Sequence, residues 1–408
     1  MMTTSKNDIP VLLLTGYLGS GKTTLVNRIL SNRKGIRFAV IVNDLGEVNI
    51  DAELIQQGGV VNQADDNLIA LQNGCICCTL KTNLIEQLRG IVAQNRFDYI
   101  VIEASGICEP EPIAQTICSI PYLEESFPEN RLPRLDCIVT VVDALRMRDE
   151  FALGEALQKP HIDEEDIESL VIQQIEFCNI ILLNKASEVS DDELGNVKAV
   201  VRALQPKAEI IPCDYGDVPM ERLLHTGLFD FEKTATSATW IREVENIHDE
   251  DEEEGDEHEH EHEHEHEHGH GTHHHHHHHD EDGEAEEYGI RTYVYQTRAP
   301  FRYEQFHRFV RDWLRENAIR SKGICYFSYD RDLCFLFDQV GKSSTLREAG
   351  QWFATMPPEE LGPFLKQHPE VCAEWDDTYG DRMQKLVFIG QHLDTNRLCN
   401  LLDQCRTE

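Results

Sequence analysis

At 408 residues the chain is too long for a single core, and its formal net charge of −37 argues against nonspecific binding to nucleic acid. Residues 248–287 alone hold 19 acidic residues and no Lys or Arg, which leaves −18 for the remainder. No run approaches the roughly eighteen apolar residues of a membrane span, nothing has the layout of a secretory signal, and the 13 Cys show no secretory spacing. A cytoplasmic protein with reduced thiols and no membrane partner is expected.

Val11 to Thr15 reads as a short apolar strand and Leu25 to Leu30 as a helix. Between them, Gly16-Tyr-Leu-Gly19-Ser20-Gly21-Lys22-Thr23-Thr24 matches each fixed position of the phosphate-binding P-loop. Successive backbone N–H groups of such a loop wrap phosphates, and the helix N-terminus favours their charge. Lys22 is expected to reach the β- and γ-phosphates and the Thr23 hydroxyl to ligate Mg²⁺. Gly16, Gly19, Ser20, Gly21 and Thr24 complete the binding loop. A Gly-rich turn that matches by chance would lack the strand before it and the helix after it.

Phe38 to Asn43 reads as a buried strand, and Val42 to Asp51 follows where nucleotide switches sense the γ-phosphate. Glu47 and Asp51 are candidates for a metal ligand or for orienting the attacking water; either could equally be a solvated loop carboxylate. Next comes Asn73-Gly-Cys75-Ile-Cys77-Cys78-Thr79. Thiolates suit soft ions such as Zn²⁺ or Cu(I) and suit Mg²⁺ poorly. A regular strand would point Cys75 and Cys77 to one side and Cys78 to the other, so convergence on one ion needs a turn, which Gly74 permits. Three thiolates leave one tetrahedral position open, fitting a site that hands its metal onward. A redox dithiol at Cys75 and Cys78, or buried structural cysteines, are the competing assignments.

Leu84 to Ala93 reads as a helix and Tyr99 to Glu103 as a strand that ends in a carboxylate. Glu103 occupies the place of the acidic residue that holds Mg²⁺ in P-loop proteins, directly or through water. Cys137 to Val142 and Ile180 to Asn184 are further apolar strands, with a helix around Ile167 to Ile175. Continuous apolar strands separated by helices predict a doubly wound, mostly parallel α/β sheet with ligands at the carboxyl ends of its strands. Asn184-Lys185-Ala-Ser187 follows one such strand, as a guanine-reading N-K-x-D element would, but its fourth residue is Ser. A hydroxyl cannot copy the two hydrogen bonds that an Asp carboxylate accepts from the guanine edge, so the base preference is weakened.

His248 to Glu287 is low-complexity, with Glu-His alternation over 257–268 and seven consecutive His at 273–279. This composition cannot bury a core and predicts a solvated loop. Its imidazoles would bind several metal ions with modest affinity, falling as they protonate near pH ~6.5. His161, His225, His307, His368 and His392 fit ordinary structural roles. From Tyr288 the order is strand (290–296), helix (303–315), two strands (323–328 and 333–339), helix (359–367), strand (385–390) and helix (395–405), a split βαβ, ferredoxin-like α+β pattern. The stretch Trp352 to Gly380 fits it least well. Three parts follow: residues 1–235, 248–287 and 288–408.

The P-loop, the G-C-I-C-C element, Ile102-Glu103-Ala-Ser105-Gly106 and the N-K element together resemble the CobW-type metallochaperone GTPases, in the zinc-responsive branch with a C-terminal domain. Gly106-Ile-Cys-Glu109-Pro-Glu111-Pro112 and Gly380-Asp-Arg382-Met-Gln-Lys-Leu-Val387-Phe-Ile-Gly390 also look like signatures of that family. The resemblance implies a GTPase that binds Zn²⁺ at Cys75, Cys77 and Cys78, with Glu47 nearby, and delivers it to a client zinc metalloprotein. It implies GTP and Mg²⁺ as cofactors, Lys22, Thr23, Asp51 and Glu103 as the catalytic set, and Asn184 and Lys185 at the nucleotide. Asp44 stands where the family often has Glu, and Ser187 replaces the base-reading Asp. A His-rich zinc buffer, or a cobalt- or nickel-insertion GTPase, are the alternatives in other classes; a P-loop kinase fits least, since no pocket for a second substrate is recognisable.

Overall fold

The sequence Ile9-Pro-Val-Leu-Leu-Leu-Thr15 has no charged side chain, and in the computed structural model it forms a strand, β1 (Ile9–Thr15), buried along almost all its length. The structure describes residues 8–31, 35–42, 70–72, 80–123, 127, 131–151, 164–238, 288–341, 343–373 and 375–407. By its internal contacts the chain divides into two units, residues 1–239 with the short piece 340–343, and residues 240–339 with 344–408.

The first unit is a seven-stranded sheet of β1, β2 (Phe38–Val42), β3 (Ala70–Gln72), β4 (Tyr99–Glu103), β5 (Pro133–Asp143), β6 (Ile180–Asn184) and β7 (Glu209–Pro212). Its order is β3-β2-β4-β1-β5-β6-β7, and its neighbouring strands pair in parallel. Residues that alternate between the two faces, such as Leu12 and Leu13 or Val101 and Ile102, are all fully buried. That requires cover on both sides.

Helices supply the cover: α1 (Lys22–Ser31), α2 (Leu80–Ala93), α3 (Pro110–Ser119), α4 (Ala144–Phe151), α5 (Glu164–Glu176), α6 (Asp191–Leu204) and the short α7 (Phe231–Ala235). Leu25, Val26, Ile29 and Leu30 of α1, spaced three and four apart, share one core with Leu12, Val40, Val139 and Leu182. Each such side chain contributes about 2 kcal/mol by leaving water. A capping box fixes the start of α6: Ser190 accepts from the Glu193 N–H while the Glu193 carboxylate accepts from Ser190. The doubly wound parallel architecture is as expected. Two edge strands, β3 and β7, and helices α3, α4, α6 and α7 add to the elements legible in the sequence.

The second unit holds β8 (Ile290–Thr297), α8 (Tyr303–Phe309, continuing through a π-turn at Val310–Leu314 to Asn317), β9 (Arg320–Phe327), β10 (Asp330–Val340), β11 (Ser343–Gln351), α9 (Pro358–Gln367), α10 (Pro369–Ala373), β12 (Gln384–Gln391) and α11 (Thr395–Asp403). The sheet order is β11-β10-β9-β12-β8. Because β12 runs antiparallel to both β8 and β9, those two strands are parallel and the last strand splits them, giving the expected split βαβ. The element order differs from the expected one by the added strand β11 and the short helix α10. Ser343–Gln351 is a largely exposed edge strand with Leu346 its sole large apolar residue, so it lacks the hydrophobic signal that marks a strand. An aromatic core of Phe301, Phe306, Phe309, Trp313, Phe327 and Phe388 holds α8 on the sheet.

Candidate functional site

The carboxyl ends of β1, β4 and β6 converge on the loop that joins β1 to α1. Register sets this: Leu14 of β1 lies opposite Glu103 of β4, and Asp143 of β5 lies opposite Asn184 of β6. Gly16, Gly19 and Gly21 take φ values of +133°, +78° and +108°. A Cβ on Gly16 would stand 2.2 Å from the Val141 carbonyl oxygen, and one on Gly21 would stand 2.3 Å from Asn184 Nδ2. Only glycine lets the backbone lie that close to its neighbours there.

Lys22, the first residue of α1, is buried and its Nζ donates to the Gly16 and Tyr17 carbonyls at 2.7 and 3.2 Å. The ammonium is thereby drawn over the loop. Thr23 Oγ1 donates to Glu103 Oε1 at 2.8 Å, and Glu103 is only 2 % exposed. Ser20 is buried as well, and its Oγ makes no hydrogen bond among the described residues. Thr24 is exposed in the first turn of α1. Oxygen donors at Thr23 and Glu103 are the hard ligands Mg²⁺ takes. A glycine-lined loop under an ammonium, with a buried hydroxyl at Ser20, fits a triphosphate.

Asn184 ties this loop to the next. Its Nδ2 donates to the Ser20 carbonyl at 2.8 Å, and its Oδ1 accepts from the Gly216 N–H at 3.1 Å. Lys185 takes φ +60°, and its ammonium pairs with Asp143 at the end of β5. Ser187 donates through both its N–H (3.0 Å) and its hydroxyl (2.9 Å) to Asp214 Oδ1 in the loop after β7. Beside the P-loop, Arg146 stacks on the Tyr17 ring at 4.1 Å, and an open cleft of about 310 Å³ is lined by Tyr17, Leu18, Ser20, Asp143 and Arg146.

The profile of the CobW/HypB/UreG nucleotide-binding domain matches residues 10–212, and that of the cobalamin synthesis protein cobW C-terminal domain matches residues 290–406. Over 401 residues the chain is 33% identical to the zinc-regulated GTPase metalloprotein activator 1 of Dictyostelium discoideum, spanning 94% of this chain and 76% of that one. The chain belongs to the CobW family. It is also 33% identical over 230 residues to the zinc chaperone CobW of Pseudomonas aeruginosa, across 53% of this chain and 59% of that one. The crystal structure of the Zn(II)-bound YjiA GTPase from Escherichia coli aligns at 20% identity and a TM-score of 0.39, covering 98% of this chain and 100% of that one.

For this CobW chain, the structure therefore brings together Gly16, Gly19, Ser20, Gly21, Lys22, Thr23, Glu103, Asn184 and Lys185. Glu47, Asp51, Cys75, Cys77 and Cys78, along with the His-rich segment, lie outside the described residues. Among the described residues no group of three or more His, Cys, Asp or Glu converges as a metal site, and no helix is long and apolar enough to cross a membrane. No described cysteine is in a disulfide. Burial pushes the Cys213 thiol up to about 11 and those of Cys178 and Cys405 to about 12, so none of these is a thiolate near neutrality.

Asp143 and Asp214 did not stand out as site residues in the sequence. Asp143 carries a signal in retrospect, since a lone carboxylate ends the apolar run Ile138 to Val142 as Glu103 ends its own strand. Asp214 carries none, because its partner Ser187 is 27 positions away.

Proposed function

We propose that this chain is a GTP-hydrolysing zinc metallochaperone that binds Zn²⁺ at Cys75, Cys77 and Cys78, with Glu47 nearby, and transfers it to client zinc metalloproteins. The nucleotide half rests on the hydrogen bond from Thr23 to Glu103, which gathers the loop hydroxyl and the strand-end carboxylate at the mouth of a glycine-lined loop. The zinc half is supported by three soft donors within four residues and by the relatives, a zinc-regulated GTPase metalloprotein activator and a zinc chaperone.

In this account Gly16 to Thr24 hold the triphosphate and Lys22 offsets charge on its β- and γ-oxygens. Thr23 and Glu103 would hold Mg²⁺, which when bound supplies charge neutralisation to the transferring phosphoryl group. Asp51 orients the attacking water. Asn184 and Lys185 fix the loops on which the base rests. GTP stabilises one arrangement of residues 43–51 and, through it, of the cysteine segment; hydrolysis removes that differential stabilisation and releases the ion or the client. The His-rich segment acts as a local reservoir.

The protein is cytoplasmic in this account, works without nucleic acid, and has its functional limits at 1–235, 248–287 and 288–408. Zinc-dependent GTP turnover of the full chain, compared with Cys77→Ser, tests it. A lower bound-zinc content together with loss of the zinc dependence is expected. Equal rates and equal zinc content would remove the coupling.

A further inference from the structure

Ser187 leaves this GTPase without a carboxylate at the place where the guanine edge is ordinarily read, yet a carboxylate is held against that very residue. Asp214 Oδ1 accepts from both the N–H and the hydroxyl of Ser187, at 3.0 and 2.9 Å. Its Oδ2 accepts no hydrogen bond among the described residues, and the side chain is half-buried.

The loop that carries Asp214 is fixed to the nucleotide-binding elements. The Ala186 N–H donates to the Cys213 carbonyl at 3.1 Å, and the Gly216 N–H donates to Asn184 Oδ1. Arg28 of α1 donates to the Tyr215 carbonyl at 2.8 Å and pairs with Asp217 at 2.7 Å. The turn closes with the Asp217 N–H on the Asp214 carbonyl. Asn184 in turn holds the Ser20 carbonyl of the P-loop. The phosphate loop, the N-K segment and the loop after β7 are therefore a single hydrogen-bonded frame.

We propose that Asp214 supplies the base-reading carboxylate of this protein, with Ser187 as the residue that orients it. The Asp and its hydroxyl partner have exchanged loops: the hydroxyl stands on the N-K segment and the carboxylate on the neighbouring turn. The inference rests on the GTP reading above and names the source of its base specificity. Its chemistry is that of donor and acceptor counts. Guanine presents two donors side by side, N1–H and the N2 amino group, and one carboxylate accepts both. Adenine presents an acceptor at N1, which a carboxylate repels. A site built on such a pair rejects the base that lacks the donors, because a charged acceptor is left unpaired.

Asp214→Asn tests it in the full chain, with Mg²⁺ and with GTP, xanthosine triphosphate and ATP as the probes. The amide exchanges one acceptor for a donor, which opposes the guanine N2 amino group but matches the C2 carbonyl of xanthine. The expected result is a loss of GTP affinity of at least about tenfold, together with a gain for xanthosine triphosphate. The double exchange Ser187→Asp with Asp214→Ser is expected to restore the preference for GTP. Unchanged GTP affinity in Asp214→Asn overturns the proposal, and so does a loss without the xanthosine gain, since that would mark Asp214 as a support for the loop. A wild-type chain that binds GTP but does not prefer it over ATP also overturns it. Failure of the wild type to bind any of the three would instead sink the GTPase reading on which the proposal stands.

Discussion

Thr23 and Glu103 lie 80 positions apart in sequence, and a 2.8 Å hydrogen bond joins the hydroxyl of one to the carboxylate of the other. The contact follows from sheet order, because β4 is the parallel neighbour of β1 and its last residue lies opposite Leu14. If this pair holds Mg²⁺, Glu103→Gln keeps a hydrogen-bond partner for Thr23 while removing the charge. GTP turnover is expected to fall on the order of 10²-fold, with a raised Mg²⁺ requirement. A Mg²⁺ titration of the turnover rate checks it; an unchanged requirement would assign Glu103 a purely structural role.

The three loop glycines should respond differently to alanine. Gly16→Ala drives a methyl to 2.2 Å from the Val141 carbonyl, and Gly21→Ala drives one to 2.3 Å from Asn184 Nδ2. Both are expected to lose GTP binding and about 1–3 kcal/mol of stability. Gly19→Ala meets nothing within 4 Å and bears only the strain of φ +78°, about 1 kcal/mol. Thermal melting with and without GTP separates the three.

The doubly wound sheet was legible because β1, β2, β4 and β6 are uninterrupted apolar runs that no surface element would carry. The P-loop glycines were legible because backbone approach to phosphate admits few alternatives. β7 was not, since four residues with a mostly exposed pattern give no periodicity to read. β11 was hidden for the same reason: an exposed edge strand is specified by its partner and not by its own side chains. The partnership of Ser187 with Asp214 was beyond reach because a contact between two loops depends on β6 and β7 being neighbours, which strand composition does not encode.

In the second unit, Arg320 is buried with its guanidinium 2.5 Å from Asp338, and Lys322 lies 3.2 Å from the same carboxylate. Burial alone would raise the Asp338 carboxyl, but the two cations outweigh it and hold the group below its usual range. A depressed folded-state pKa means stability that is present above the unfolded value, near ~3.9, and is lost as pH falls through the folded one. Stability of this unit is therefore expected to be flat across neutral pH and to decline below about pH 4. Asp338→Ala removes the carboxylate that the buried Arg320 guanidinium faces and should cost about 3 kcal/mol at pH 7. Denaturant unfolding at several pH values checks both statements; a variant as stable as the parent would contradict the pairing.

The thiols divide by reactivity. Cys178, Cys213 and Cys405 are buried and protonated near neutrality, whereas Cys372 is exposed. Alkylation of the native chain at pH 7 should spare the first three and modify Cys372 whether zinc is present or not. Cys75, Cys77 and Cys78 should be modified only without zinc. Mass spectrometry of the labelled chain reads this out, and equal labelling of the cluster with zinc bound would remove it as the ion's ligand set.

The central claim is that nucleotide occupancy and zinc affinity are coupled in one α/β unit. The most direct test is a Zn²⁺ titration of the chain lacking residues 248–287, carried out without nucleotide, with GDP, and with a non-hydrolysable GTP analogue. One high-affinity ion is expected, with an affinity that differs between the diphosphate and triphosphate states. Identical affinity in all three would contradict it and leave the protein a passive holder of zinc.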